Sequence, residues 1–152
     1  MADEDILFFK YKFMLPKEVK EFAVYLRKSD LSIINQPGEE LEIEWAQLNN
    51  FACPNCPLDK TAHKYCPVAQ NLYRVIKEFG SFNSYEIVDV EVETVSRKFQ
   101  KQTALQSGIS SLIGILMPSS GCPIMGKLKP MLYTHLPFAS LDETQTRVFS
   151  LY

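Results

Sequence analysis

Glycine is scarce in this chain, six in 152 residues, and there are only two histidines and one tryptophan. With 46% hydrophobic and 22% charged residues, that composition excludes collagen-like and disordered classes. Long apolar runs are also missing. The longest, residues 109–117, is interrupted by Ser110, Ser111 and Gly114 and falls far short of the roughly 18 residues of a membrane-spanning helix. There is no basic excess, since 16 Lys and Arg against 18 Asp and Glu leave a net charge of −2, so a phosphate backbone is not an expected partner. The start, Met-Ala-Asp-Glu-Asp, is acidic where a signal or transit peptide is basic, and no apolar core with a cleavage site follows. A cytoplasmic, reducing location is the expectation. Gly-rich phosphate loops and the His-Glu-x-x-His and Gly-x-Ser-x-Gly patterns are absent, which gives hydrolase and kinase chemistry no foothold.

What is present reads as an ordinary globular chain, long enough to bury roughly 70% of the surface its unfolded form exposes. Charge drifts along it, from ten acids and six bases in residues 1–50 to two acids and four bases in residues 101–152. A solvated surface accounts for so weak a drift. Over residues 6–15, Phe9, Tyr11 and Phe13 alternate with Lys10 and Lys12, the period of a half-buried strand. Residues 19–28 fit two patterns, since Phe22, Val24 and Leu26 alternate while Val19, Phe22, Ala23 and Leu26 also share one helical face; a hairpin partner that turns at Leu15-Pro16-Lys17 is preferred over a helix. After a turn at Asn35-Gln36-Pro37-Gly38, Leu41, Ile43 and Trp45 alternate with glutamates as a further short strand.

Pro67 suits the first position of a helix, and Val68, Leu72, Val75, Ile76 and Phe79 recur at helical spacing up to Gly80. Val88, Val90 and Val92 alternate with acids as a strand with one wet face. Leu105, Ile109, Leu112, Ile113 and Leu116 predict a helix from about Phe99 to Met117, stopped by Pro118. Its other edge gathers Ala104, Ser107, Gly108 and Ser111, small residues that admit close approach by another backbone or by a ligand. Ser140 and Glu143 form a capping-box pattern that opens a last helix, with Leu141, Val148, Phe149 and Tyr152 on one face. That face stops in mid-pattern without a glycine, so either the natural chain continues past Tyr152 or the helix docks in the core. The predicted fold class is α+β: a small N-terminal antiparallel β-sheet lobe over residues 1–50, then a Cys-rich helical and β part over residues 51–152, organised by a metal.

The four cysteines carry the sharpest signal. Cys53, Cys56, Cys66 and Cys122 are each followed by Pro, where random placement would give about 0.2 such pairs. Cys53-Pro54-Asn55-Cys56 is a Cys-x-x-Cys knuckle whose sulfurs can reach one cation, and in a reducing compartment that spacing favours metal over disulfide. Cys66 and Cys122 both sit where a helix could begin, and an N-cap thiol is easily ionised by the free N–H groups behind it. The expected site is four-cysteine and tetrahedral, with His63 the competing fourth ligand through Cys53-x2-Cys56-x6-His63-x2-Cys66. Zinc is the expected cation, an iron–sulfur cluster the alternative, and haem a distant third. His135, among apolar neighbours, fits a hydrogen-bonded core residue, with a ligand or functional role as the alternative.

With these motifs in hand, the chain resembles a family of uncharacterised bacterial proteins. The shared pattern is Cys53-Pro54-Asn55-Cys56-Pro57-Leu58, Tyr65-Cys66-Pro67-Val68-Ala69, Ser120-Gly121-Cys122-Pro123 and His135-Leu136-Pro137-Phe138-Ala139-Ser140 with Glu143-Thr144. The resemblance covers residues 45 to 152 and implies that the four cysteines and His135 recur together, that the source is bacterial, and that the family continues past Tyr152. It brings no reaction with it. The expected function is a non-enzymatic metal-binding domain, regulatory or protein-interacting, with structural zinc and another protein as partner. The alternatives are an iron–sulfur or thiolate redox sensor, and a thiol enzyme with Cys122 as nucleophile, His135 as base and Glu143 as orienter.

Overall fold

The computed structural model describes residues 5–34 and 43–152. Its sheet has four antiparallel strands, β1 (Ile6–Met14), β2 (Val19–Arg27), β3 (Ile87–Thr94) and β4 (Lys98–Ala104), in the order β2-β1-β3-β4. The hairpin forms as the alternation predicts, closed by Leu15 N–H to Glu18 O at 2.9 Å. Tyr11 stands opposite Phe22 on β2 and Val92 on β3, so one face of the sheet is a continuous apolar layer that includes Phe9, Phe13, Val24, Leu26 and Val90. The other face puts unlike charges opposite one another: Lys12 against Glu21 and Glu91, and Glu93 against Lys10 and Lys98. Such cross-strand pairs favour this register over a one-residue slip, which would also turn the apolar set to water.

A short helix α1 (Leu48–Phe51) precedes the cysteine knuckle, and two longer helices cover the apolar face of the sheet. Helix α2 (Pro67–Phe79), with Cys66 at its N-cap and Pro67 at its first position, buries Val75 and Phe79. Helix α3 (Leu105–Leu116) buries Leu105, Gly108, Leu112, Ile115 and Leu116. Asn71 Nδ2 ties α2 to the far end of α3 by donating to Leu116 O at 3.2 Å. A 3-10 stretch (Met125–Thr134) then leads to helix α4 (Leu141–Leu151). The α4 capping box is complete, with Ser140 Oγ accepting from Glu143 N at 3.1 Å and Glu143 Oε1 from Ser140 N at 3.0 Å.

Four expectations are revised. The α+β class holds, but half of the sheet comes from residues 87–104, and a single core cluster draws on both sides of residue 50. Glu44–Ala46 is a 3-10 turn behind the buried Ile43 rather than a strand; Leu41 and Glu42, like the turn at residues 35–38, lie outside the described residues. The helix expected from Phe99 begins at Leu105. Residues 98–104 pair instead with β3, whose open edge needed a partner, and that pairing overrides the helical preference of Lys and Gln. Cys122 caps no helix, because the 3-10 stretch that follows has Ile124 at its N-cap. The Cys122 carbonyl instead accepts from Gly126 N–H at 2.8 Å.

Candidate functional site

The small-residue edge of α3 divides into two kinds of surface. Gly108 faces the sheet, where a Cβ would meet Phe13 Cε1 at 2.9 Å and Val90 Cγ2 at 3.0 Å. Ser107, Ser110, Ser111 and Gly114 instead line a cavity of about 780 Å³, and a Cβ on Gly114 would meet nothing within 4 Å. The remaining walls are Lys101 and Thr103 from β4, Leu128, Met131 and Leu132 from the 3-10 stretch, His135 to Ser140 in part, and Glu143, Thr144, Arg147 and Val148 from α4. Helix α4 is thus one wall of a hollow and buries no residue completely; Leu141, Phe149 and Tyr152 are exposed. Its apolar face does not dock in the core.

A buried polar chain runs behind the cavity. Tyr11, 1% exposed, places its hydroxyl 2.7 Å from Ser111 Oγ and 2.8 Å from His135 Nε2. With one proton, Tyr11 donates to one of these groups and accepts from the other. Burial raises the Tyr11 pKa above the usual phenol range. Burial, with the Arg147 charge nearby, lowers that of His135 to about 3. His135 is therefore neutral at ordinary pH, suited to hydrogen bonding rather than to proton abstraction. Phe9 meets the imidazole edge-on at 5.3 Å. Phe138, on the same wall, has φ of 60°, in the left-handed region that costs a bulky residue about 1 kcal/mol or more. That strain lies beside the cavity.

Arg147 is the second feature. One guanidinium nitrogen, Nη2, donates to Met131 O at 2.8 Å, while Nε is buried without a hydrogen-bond partner. Burial lowers its pKa. Among the described residues no carboxylate pairs with it. Glu143, one turn earlier on α4, holds Ser140 N, and those bonds keep its carboxyl below the usual range.

The sequence-predicted ligands lie elsewhere. Cys53 is exposed, Cys56, Cys66 and Cys122 are partly exposed, and none is in a disulfide. Cys56 N–H closes the knuckle onto Cys53 O at 3.0 Å, and Cys66 N–H bonds to Ala46 O at 2.7 Å. The Cys122 backbone N–H rests 3.3 Å from Ser120 Oγ, after Gly121 at φ 99°. A Cβ on Gly121 would lie 4.0 Å from Pro67 Cβ, so the Cys66-Pro67 and Cys122-Pro123 segments are neighbours. Among the described residues no group of three or more His, Cys, Asp or Glu side chains is arranged to hold a metal ion. His63 is exposed. Cys122 is not part of the cavity that His135 and Glu143 line, so the three groups of the thiol-enzyme reading do not share that wall. Tyr11 and Arg147 were not legible as site residues: Tyr11 reads as one more core aromatic, and the signal for Arg147 is only a lone cation beside Val148.

Fold and site together define an α+β domain with a sheet backed by two helices and a partly polar cavity under a third. The chain belongs to a family described as a domain of unknown function, DUF6901, whose model matches residues 7–152. No curated protein and no solved structure matches the chain. Among the described residues, no helix is long and apolar enough to cross a membrane.

Proposed function

We propose that this domain is a non-catalytic regulatory module that binds a small organic ligand between α3 and α4. The observation that carries the reading is the hollow itself, which at about 780 Å³ falls within the range of small-molecule pockets and mixes apolar walls with a few fixed polar groups. A solid core would have closed it. The test uses N-phenyl-1-naphthylamine, a neutral fluorescent probe, with Gly114→Leu as the blocking variant, since a side chain there projects into open space. Saturable one-site fluorescence enhancement in the wild type, reduced at least tenfold in affinity by Gly114→Leu at unchanged circular dichroism, is the expected result. Equal binding by both proteins contradicts the reading.

A metal-thiolate role is a second reading, supported by the proximity of Pro67 to Gly121, which places two Cys-Pro segments from distant parts of the chain near one another. Four thiolates with one zinc would tie α1, α2 and the segment after α3 together, and an iron–sulfur cluster is the alternative occupant. A partner protein would then read the state of that surface. Elemental analysis of chelator-free protein is expected to give one zinc per chain, lost in both Cys53→Ser and Cys122→Ser. Absorption at about 400 nm would assign iron instead; folded, metal-free wild type, or Cys122→Ser with its metal intact, contradicts a four-cysteine site.

A further inference from the structure

Resting on the ligand-binding reading above, we propose that the cavity takes an amphipathic organic monocarboxylate, its anionic end against Arg147 and its apolar body along Leu128, Met131 and Val148. Arg147 lines the cavity with a partly buried charge, and among the described residues nothing of opposite sign pairs with it. A cation partly withdrawn from water without a counter-charge carries a cost, and the orphaned, buried Nε–H adds to it. Glu143 does not relieve it, because its carboxylate is committed to Ser140 N in the capping box. A carboxylate entering the cavity supplies the missing charge, and offers Nε–H an acceptor once the side chain turns toward it.

The lining also limits the ligand's charge and shape. Lys101 and Arg147 stand against the single carboxylate of Glu143, while His135 is neutral, so one negative charge balances the site. A free phosphate or a sugar would match the hydroxyls but leave the apolar wall wet. A fully apolar ligand would bury Arg147 further without compensation.

The experiment is calorimetric titration with 1-naphthylacetate and its neutral counterpart 1-naphthaleneacetamide, on the wild type, Arg147→Met and Arg147→Lys. The acid is expected to bind the wild type at least tenfold more tightly than the amide. Arg147→Met is expected to bring the acid down to the level of the amide and leave the amide unchanged, and Arg147→Lys to keep a preference for the acid. Equal binding of acid and amide to the wild type overturns the carboxylate assignment but not the cavity, which the neutral fluorescent probe tests separately. An acid preference that survives Arg147→Met overturns the role of Arg147. Failure of 1-naphthylacetate to bind a protein that binds N-phenyl-1-naphthylamine overturns the ligand class.

Discussion

Gly108→Val is expected to destabilise the domain by about 3 kcal/mol, a fall of about 10 °C in the unfolding midpoint, while the same substitution at Gly114 stays within about 0.5 kcal/mol. The two glycines share one helix, yet their surroundings are opposite. At Gly108 the first added carbon lies 2.9 Å from Phe13 Cε1 and 3.0 Å from Val90 Cγ2. Neither neighbour can yield. Both are fully buried, and the Phe13 ring is held by Phe79 at 4.9 Å and Phe22 at 6.2 Å. At Gly114 the same carbon meets nothing within 4 Å. Gly114→Ala should even stabilise by up to about 1 kcal/mol, from helix propensity alone. Urea unfolding of the three variants checks this. Wild-type stability in Gly108→Val would mean that α3 does not lie on the sheet in this way.

Acid is expected to destabilise the domain well before its carboxylates titrate, because of His135. The unfolded histidine takes up a proton below about 6.5, whereas the folded one resists until about 3. Over that window the unfolded state binds more protons, so stability is fully present above about pH 6.5 and falls as pH drops, approaching about 1.4 kcal/mol per pH unit. Between about pH 6.5 and 4.5 the loss is about 2 kcal/mol. Below that range Asp30, lowered to about 2 chiefly by its hydrogen bonds to Ser32, adds a loss of the same sign. His135→Gln keeps a hydrogen-bonding group near Tyr11 but cannot titrate, so its stability should be flat over the same interval. A wild-type profile equally flat there would contradict a neutral, buried imidazole.

Much of the fold could be read from periodicity, because its clearest elements bury one face and wet the other. The β1–β2 hairpin, α2 and β3 have that contrast, reinforced in α2 by Pro67, while α4 was marked by its Ser140–Glu143 box rather than by a buried face. Strand β4 does not. Lys98, Gln100, Lys101 and Gln102 are all exposed, so its conformation comes from pairing with β3, which no local pattern records. The site was legible in pieces: His135, Glu143 and the small edge of α3 stood out by type and spacing. What could not be read was their assembly, since Tyr11 reaches His135 across 124 residues of chain and Arg147 gains its meaning only from lacking a carboxylate. The cysteines are the reverse case, conspicuous in sequence and peripheral to the cavity.

Amide chemical-shift mapping with 1-naphthylacetate locates a ligand between α3 and α4 without any substitution. Occupancy of the cavity predicts that the largest shifts fall on Ser107, Ser110 and Gly114 of α3 and on Thr144 and Arg147 of α4, and that they saturate together. Shifts confined to the exposed Phe149 and Tyr152 surface, with the α3 residues unmoved, would contradict it.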